Sequence, residues 1–142
     1  MSDKLTKTTD NKTTAKYYYG VGRRKTSTAR AKFYESQDEL VIMVNKQTLK
    51  TYFQDYYAKV ITDAANKIGL KNGVLHFFIK GGGTMAQSEA ARLAMVKALR
   101  LFDPEYGKMA RTFGFITSDN RIVYPKQAGK RKARKVEQWS KR

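Results

Sequence analysis

The chain has 142 residues, with 29 lysines and arginines against 12 aspartates and glutamates, one histidine and no cysteine, for a formal charge of +17. That length supports one modest core with tails rather than two cores, and the lack of cysteine excludes disulfides, thiolate metal ligands and a cysteine nucleophile. No run of about 18 apolar residues is present to span a bilayer, so the surplus of positive charge points to a polyanionic partner, with nucleic acid the leading candidate.

Residues 1–16 are rich in Thr, Lys, Asp and Asn and nearly free of apolar side chains. Such a segment cannot bury enough surface to offset its ordering entropy, and it predicts a disordered N-terminal arm. It lacks the apolar stretch of a secretory signal and the arginines of a transit peptide, which fits a protein working in the cytoplasm.

Order is expected from Tyr17. After Tyr17-Tyr18-Tyr19-Gly20-Val21-Gly22 come the cations Arg23, Arg24 and Lys25 and then a run in which Arg30 and Lys32 alternate with Ala29, Ala31 and Phe33. That period of two predicts a strand with one cationic side. Ser36–Glu39 reads as a polar turn and Leu40–Val44 as a second strand, so the two are expected to form a hairpin. A short helix carrying Leu49, Tyr52 and Phe53 should follow Asn45.

Apolar residues at steps of three and four from Tyr57 to Ile68 predict an amphipathic helix over 56–70, ended by Gly69 or by Asn72-Gly73. Val74–Ile79 reads as a buried strand stopped by Lys80-Gly81-Gly82-Gly83. The longest helix is expected over 88–102, with Ser88 or Thr84 near its start and Leu93, Ala94, Ala98 and Leu101 as its apolar stripe. Asp103 and Pro104 should end it and cap a last helix reaching Phe113. From Pro125 onward eight basic residues face Glu137 alone, and scarcely an apolar residue could anchor them, which predicts a solvated, extended tail.

Little here suggests catalysis. His76 has no cysteine or second histidine to share a metal with, so a structural or RNA-facing role suits it best, and the acidic residues are scattered. Gly20-Val21-Gly22 and Gly81-Gly82-Gly83 complete no nucleotide-binding motif. Each reads equally well as a turn needing positive φ or as a place where RNA backbone approaches, the second leading into the positive end of the long helix. Two separated cation clusters can neutralise many phosphates at once. Tyr17–Tyr19 and Trp139 offer flat faces for stacking on exposed bases, although core packing is the commoner fate of aromatic residues.

Three segments taken together, Tyr19–Arg30, the Gly81-Gly82-Gly83 loop before a long helix, and the closing Gln138-Trp139-Ser140-Lys141-Arg142, resemble the family of the ninth protein of the bacterial small ribosomal subunit. The resemblance runs from about Tyr17 to Arg142. It implies an α+β fold: one small domain with a mixed β-sheet backed by helices, over residues 17–118, followed by a long extended basic tail over 119–142. It further implies a structural, non-enzymatic constituent of the small subunit that serves translation in the cytoplasmic ribosome without a cofactor, catalytic residue or metal.

The partners it implies are ribosomal RNA of the subunit head, neighbouring head proteins and peptidyl-site transfer RNA. Matched onto this chain, Arg23, Arg24, Lys25 and Arg30 fall in the strand motif that faces ribosomal RNA, and Lys130, Arg131, Lys132, Arg134 and Lys135 in the RNA-embedded part of the tail. Ser140, Lys141 and Arg142 match the transfer-RNA contacts. The chain departs from the family pattern at Ala86, where glycine is usual, and at Glu137 and Trp139, where proline and phenylalanine are common. A free RNA chaperone or DNA-binding protein would use the same charge, and an enzyme acting on RNA or nucleotides is a further reading suggested by the glycine loops.

Overall fold

The computed structural model describes residues 16–141; all but the last residue of the arm expected over 1–16, and Arg142 of the expected transfer-RNA contacts, lie outside the described residues. In chain order the elements are β1 (Tyr18–Arg24), β2 (Ser27–Glu39), β3 (Val41–Val44), β4 (Gln47–Thr48), α1 (Leu49–Tyr52), α2 (Asp55–Ile68), β5 (Asn72–Lys80), α3 (Thr84–Phe102) and α4 (Pro104–Thr112). They form a five-stranded mixed sheet of order β1-β2-β5-β3-β4 in which only the β3–β5 pair is parallel. The expected α+β architecture, a mixed sheet backed by helices, is the one observed.

The expected hairpin between the second and third segments does not form. Strand β2 runs through the supposed polar turn to Glu39, and Leu40 alone links it to β3. One residue is too short for a hairpin connection. The chain instead passes across the start of β5, with the Leu40 N–H bonded to the Lys71 carbonyl, and β5 takes the position between β2 and β3. The hairpin partner of β2 is β1, joined through Lys25-Thr26 with Arg24 opposite Ser27. A second tight turn, Asn45-Lys46, has φ of 47° and 69° and joins β3 to β4, the paired left-handed geometry that suits a two-residue hairpin.

Alternate residues of β2 and β5 point into the core: Ala29, Ala31 and Phe33 from one, Leu75, Phe77 and Ile79 from the other. Burying each large side chain among them contributes about 1.5–3 kcal/mol. Helix α3 lies across β1 and β2, and α2 and α4 pack against α3. Helix α2 buries Ile61, Ala65 and Ile68 on one stripe. It ends at Gly69, whose φ of 80° lets the Leu70 N–H reach back to the Ala65 carbonyl.

Helix α3 starts a turn earlier than Ser88, at Thr84, and its apolar face is broader than one stripe, since Ala90, Ala91, Ala94, Met95, Val96, Ala98 and Leu99 are all buried. Leu101, expected in that stripe, is exposed because it turns to the side of α3 away from the sheet. The Asp103 side chain accepts from the Glu105 N–H and Pro104 opens α4, as the local sequence requires.

Gly20 and Gly22 are buried strand residues, neither the positive-φ turn nor the place of approach for RNA backbone that the sequence offered. Both face α3, and a Cβ at Gly20 would collide with the Ala94 carbonyl while one at Gly22 would collide with that of Ala90. With alanines on the facing side of the helix, strand and helix backbones come into direct contact. The glycines Gly81 and Gly82 do form a turn with positive φ, 76° and 68°.

Candidate nucleic-acid interface

The helices cover one side of the sheet and leave the other open. On the open side the cross-strand register sets Tyr19, Lys32 and His76 in one row, Val21, Arg30 and Phe78 in the next, and Arg23, Thr28 and Lys80 in a third. Residues Val74–Ile79, expected to be buried, are buried only at alternate positions, so β5 is a one-sided strand. Its outer residues continue the cationic side that the alternation of Arg30 and Lys32 predicted.

The aromatic residues of this face stand close to its cations. The Lys32 ammonium lies 4.5 Å from the centre of the Tyr17 ring and 5.9 Å from that of Phe78, within the range of cation–π attraction. The Tyr34 ring meets Tyr17 at 5.8 Å and the edge of His76 at 5.5 Å. At one end of the face a groove is lined by Arg23, Thr26, Thr28, Arg30, Phe78 and Lys80, with Asn45 and Gly81 at its margin. Asn45 shapes that margin: its amide accepts from the Ile79 N–H at 2.9 Å and donates to the Ile79 carbonyl at 3.0 Å, extending the β3–β5 ladder by a side chain.

The structure separates the four cations expected to act together in the β1–β2 motif. Arg23 and Arg30 are exposed on the open face and share the groove. Lys25 is exposed at the tip of the hairpin with φ of 51°. Arg24 points the other way. Its Nε donates to Glu89 Oε2 at 2.7 Å, its Nη2 lies 3.2 Å from Asp119 Oδ2, and its Nη1 donates to the Arg121 carbonyl at 3.3 Å. Arg24 thus joins β1, the first turns of α3 and the root of the tail.

That root is a compact ionic unit. Arg121 forks onto Asp119 through Nε and Nη2, and its backbone N–H bonds the same carboxylate at 2.9 Å. The Arg121 side-chain and backbone hydrogen bonds hold the Asp119 carboxyl well below the usual carboxylate range, with the charge of Arg24 adding to them. Just before the root, the Phe115 ring lies under the Arg92 guanidinium at 5.0 Å and the Lys67 ammonium at 6.0 Å, which fastens the end of the body to α3 and α2.

Beyond Thr112 the described residues contain no helix or strand, and from Asn120 to Lys141 nearly all are exposed. Lys130, Arg131, Lys132, Arg134 and Lys135 form one exposed group around a turn in which Gly129 has φ of 70° and the Arg131 N–H meets the Lys135 carbonyl at 2.9 Å. Glu137 stands 4.0 Å from Arg131. Trp139 is 80% exposed, and Ser140 and Lys141 beyond it are exposed as well.

Sequence reasoning passed over Lys80 and Phe78 as members of this face. The alternation of polar and apolar residues in Val74–Lys80 could have found them, but the adjacent pair Phe77-Phe78 masked it. Among the described residues no group of three or more His, Cys, Asp or Glu side chains is placed to hold a metal ion, and no helix is long and apolar enough to cross a membrane.

A family model described as ribosomal protein S9/S16 matches residues 22–142. The small ribosomal subunit protein uS9 of Porphyromonas gingivalis is 38% identical over 133 residues, covering 89% of this chain and 98% of that protein. The protein of the same description from Mycoplasma genitalium is 36% identical over 131 residues, with 89% and 98% coverage, and that of Mycoplasma pneumoniae is 36% identical over 129 residues, with 88% and 96%.

Proposed function

The chain belongs to the ribosomal protein S9 family, and from that premise we propose that it grips ribosomal RNA of the subunit head at two places and reaches peptidyl-site transfer RNA with the end of its tail. The family makes it a structural, non-enzymatic constituent of the small subunit of the cytoplasmic ribosome, working among ribosomal RNA and subunit neighbours. The proposed division of labour is an arm over 1–16, a body over 17–118 and a tail over 119–142.

One observation carries the two-point grip. The cations matched to ribosomal RNA are, Arg24 excepted, exposed and fall into two groups, Arg23, Lys25 and Arg30 at the open sheet face and hairpin, and Lys130, Arg131, Lys132, Arg134 and Lys135 on the tail. Arg24, tied to Glu89 and Asp119, stands between the groups. In this reading Arg24 serves RNA binding by fixing where the tail leaves the body. Guanidinium groups fork onto phosphates, and a tail without a core of its own fits narrow channels between RNA helices. Each phosphate contact should add about −0.7 to −0.9 to the slope of log affinity against log salt.

Ser140, Lys141 and Arg142 are the proposed transfer-RNA contacts. Deleting them should leave the chain folded and co-sedimenting with the small subunit while peptidyl-site transfer-RNA affinity falls. Ribosomes that carry the truncated chain and bind that transfer RNA as tightly as before would overturn this assignment.

A further inference from the structure

We infer that the groove at the Gly81 end of the open sheet face holds one unpaired RNA nucleotide, its base stacked on the Phe78 ring and its phosphate among Arg23, Arg30 and Lys80. The inference rests on the RNA-binding reading above and specifies what one part of that surface recognises.

Four observations converge on it. Phe78 lies in the middle of a sheet and yet is 45% exposed, because no element of the described chain covers that side. A ring held by the backbone of a central strand is a fixed platform, and base–aromatic stacking tolerates any base because each has a π-face. The cations are placed around the ring by register rather than by chance: Arg30 is directly opposite Phe78, and Lys80 is two residues further along β5, opposite Thr28, which in turn faces Arg23. Adjacent strands are about 5 Å apart and alternate residues about 7 Å apart along a strand, so all three cations surround the ring at side-chain reach.

The lining contains no carboxylate, while Thr26 and Thr28 add hydroxyls that can meet a ribose or phosphate oxygen. That charge pattern favours a polyanion over a protein segment. A base already stacked within a duplex cannot present its face to Phe78, so the occupant is a single-stranded or flipped-out nucleotide. The groove is also rigid, closed at its margin by the paired Asn45–Ile79 hydrogen bonds and by the positive-φ turn at Gly81.

The test uses the full chain and a single-stranded oligoribonucleotide carrying a fluorescent purine analogue whose emission falls on stacking, with the same strand annealed to its complement as the second probe. Phe78→Ala should weaken single-strand binding by about 5- to 150-fold, the size of a lost base–aromatic stack. It should leave duplex binding and the salt slope unchanged and restore most of the emission. Phe78→Tyr should behave as the parent chain does. Arg30→Ala should instead lower the salt slope by about 0.7. Equal single-strand affinity and quenching in Phe78→Ala, or quenching lost only in Trp139→Ala, would overturn the inference. Failure of the parent chain to co-sediment with small-subunit RNA would count against the ribosomal-RNA reading itself, which the oligonucleotide comparison does not test. Because Phe78 points away from the core, the variant should keep the parent's circular dichroism and thermal midpoint, and a loss of either would show that the ring supports the fold rather than a ligand.

Discussion

The guanidinium of Arg24, in the first strand, and the carboxylate of Asp119, at the root of the tail, stand 3.2 Å apart. This pair, shared with Glu89 and Arg121, is the one ionic link described between the β1–β2 hairpin and the segment that carries the tail cations. Its pH dependence follows from Asp119, whose folded carboxyl is held below its ordinary value of 3.8 chiefly by the Arg121 hydrogen bonds. A depressed carboxyl adds stability that is present above the unfolded value and is lost as pH falls toward the folded one. The stability difference between the parent chain and Asp119→Asn should therefore be constant from about pH 5 upward and shrink below about pH 4. Urea titrations of both chains across that range measure it, and a difference that changes near neutrality would contradict the pairing.

Backbone contact between β1 and α3 makes Gly20 and Gly22 intolerant of a methyl group. Gly22→Ala must push Ala90, and with it the helix, off the sheet, at a cost of about 3 kcal/mol. Gly83→Ala is the control, since a Cβ there meets nothing within 4 Å and the φ is ordinary; it loses only the preference for glycine over alanine at the N-cap of α3, a cost of about 1 kcal/mol or less. Chemical unfolding of the three chains ranks them, and a Gly22→Ala chain as stable as the parent would mean that the helix does not approach the strand this closely.

These same glycines mark where the fold stopped being legible. Helix ends were readable because their determinants are local: Gly69 supplies a left-handed cap, and Asp103-Pro104 caps one helix while breaking another. Sheet order was not, because the place of β5 between β2 and β3 depends on a return of the chain that no local pattern records. The meaning of Gly20-Val21-Gly22 required knowing that α3 crosses there. The exposure of Phe78 required knowing that one face of the sheet is left uncovered. Charge was visible from composition, but the separation of Arg24 from Arg23 required the strand's alternation together with the position of Glu89.

Asn45 combines a left-handed backbone, φ 47°, with two side-chain hydrogen bonds to the Ile79 backbone. Asn45→Ala should cost about 2 kcal/mol, since it leaves a half-buried N–H and C=O without those partners and puts alanine in a left-handed conformation that Asn tolerates better. Asn45→Gly should cost less, because glycine accepts the backbone conformation and loses only the hydrogen bonds. Amide hydrogen exchange at Ile79 gives an independent reading: its protection should fall in both variants, and unchanged protection would show that the ladder does not depend on the side chain.

Glu137 is the lone acid of the terminal segment, and it stands 4.0 Å from Arg131. Both side chains are largely exposed, so the pair contributes little to folding, yet in RNA binding it competes with phosphate for one arginine. Glu137→Gln should leave the unfolding midpoint unchanged. It should also tighten binding to small-subunit RNA at low salt and steepen the slope of log affinity against log salt by about 0.7, as one more cation becomes available for phosphate. Binding isotherms for the two chains at several salt concentrations measure both quantities. An unchanged slope would show that Arg131 already contacts phosphate with Glu137 in place.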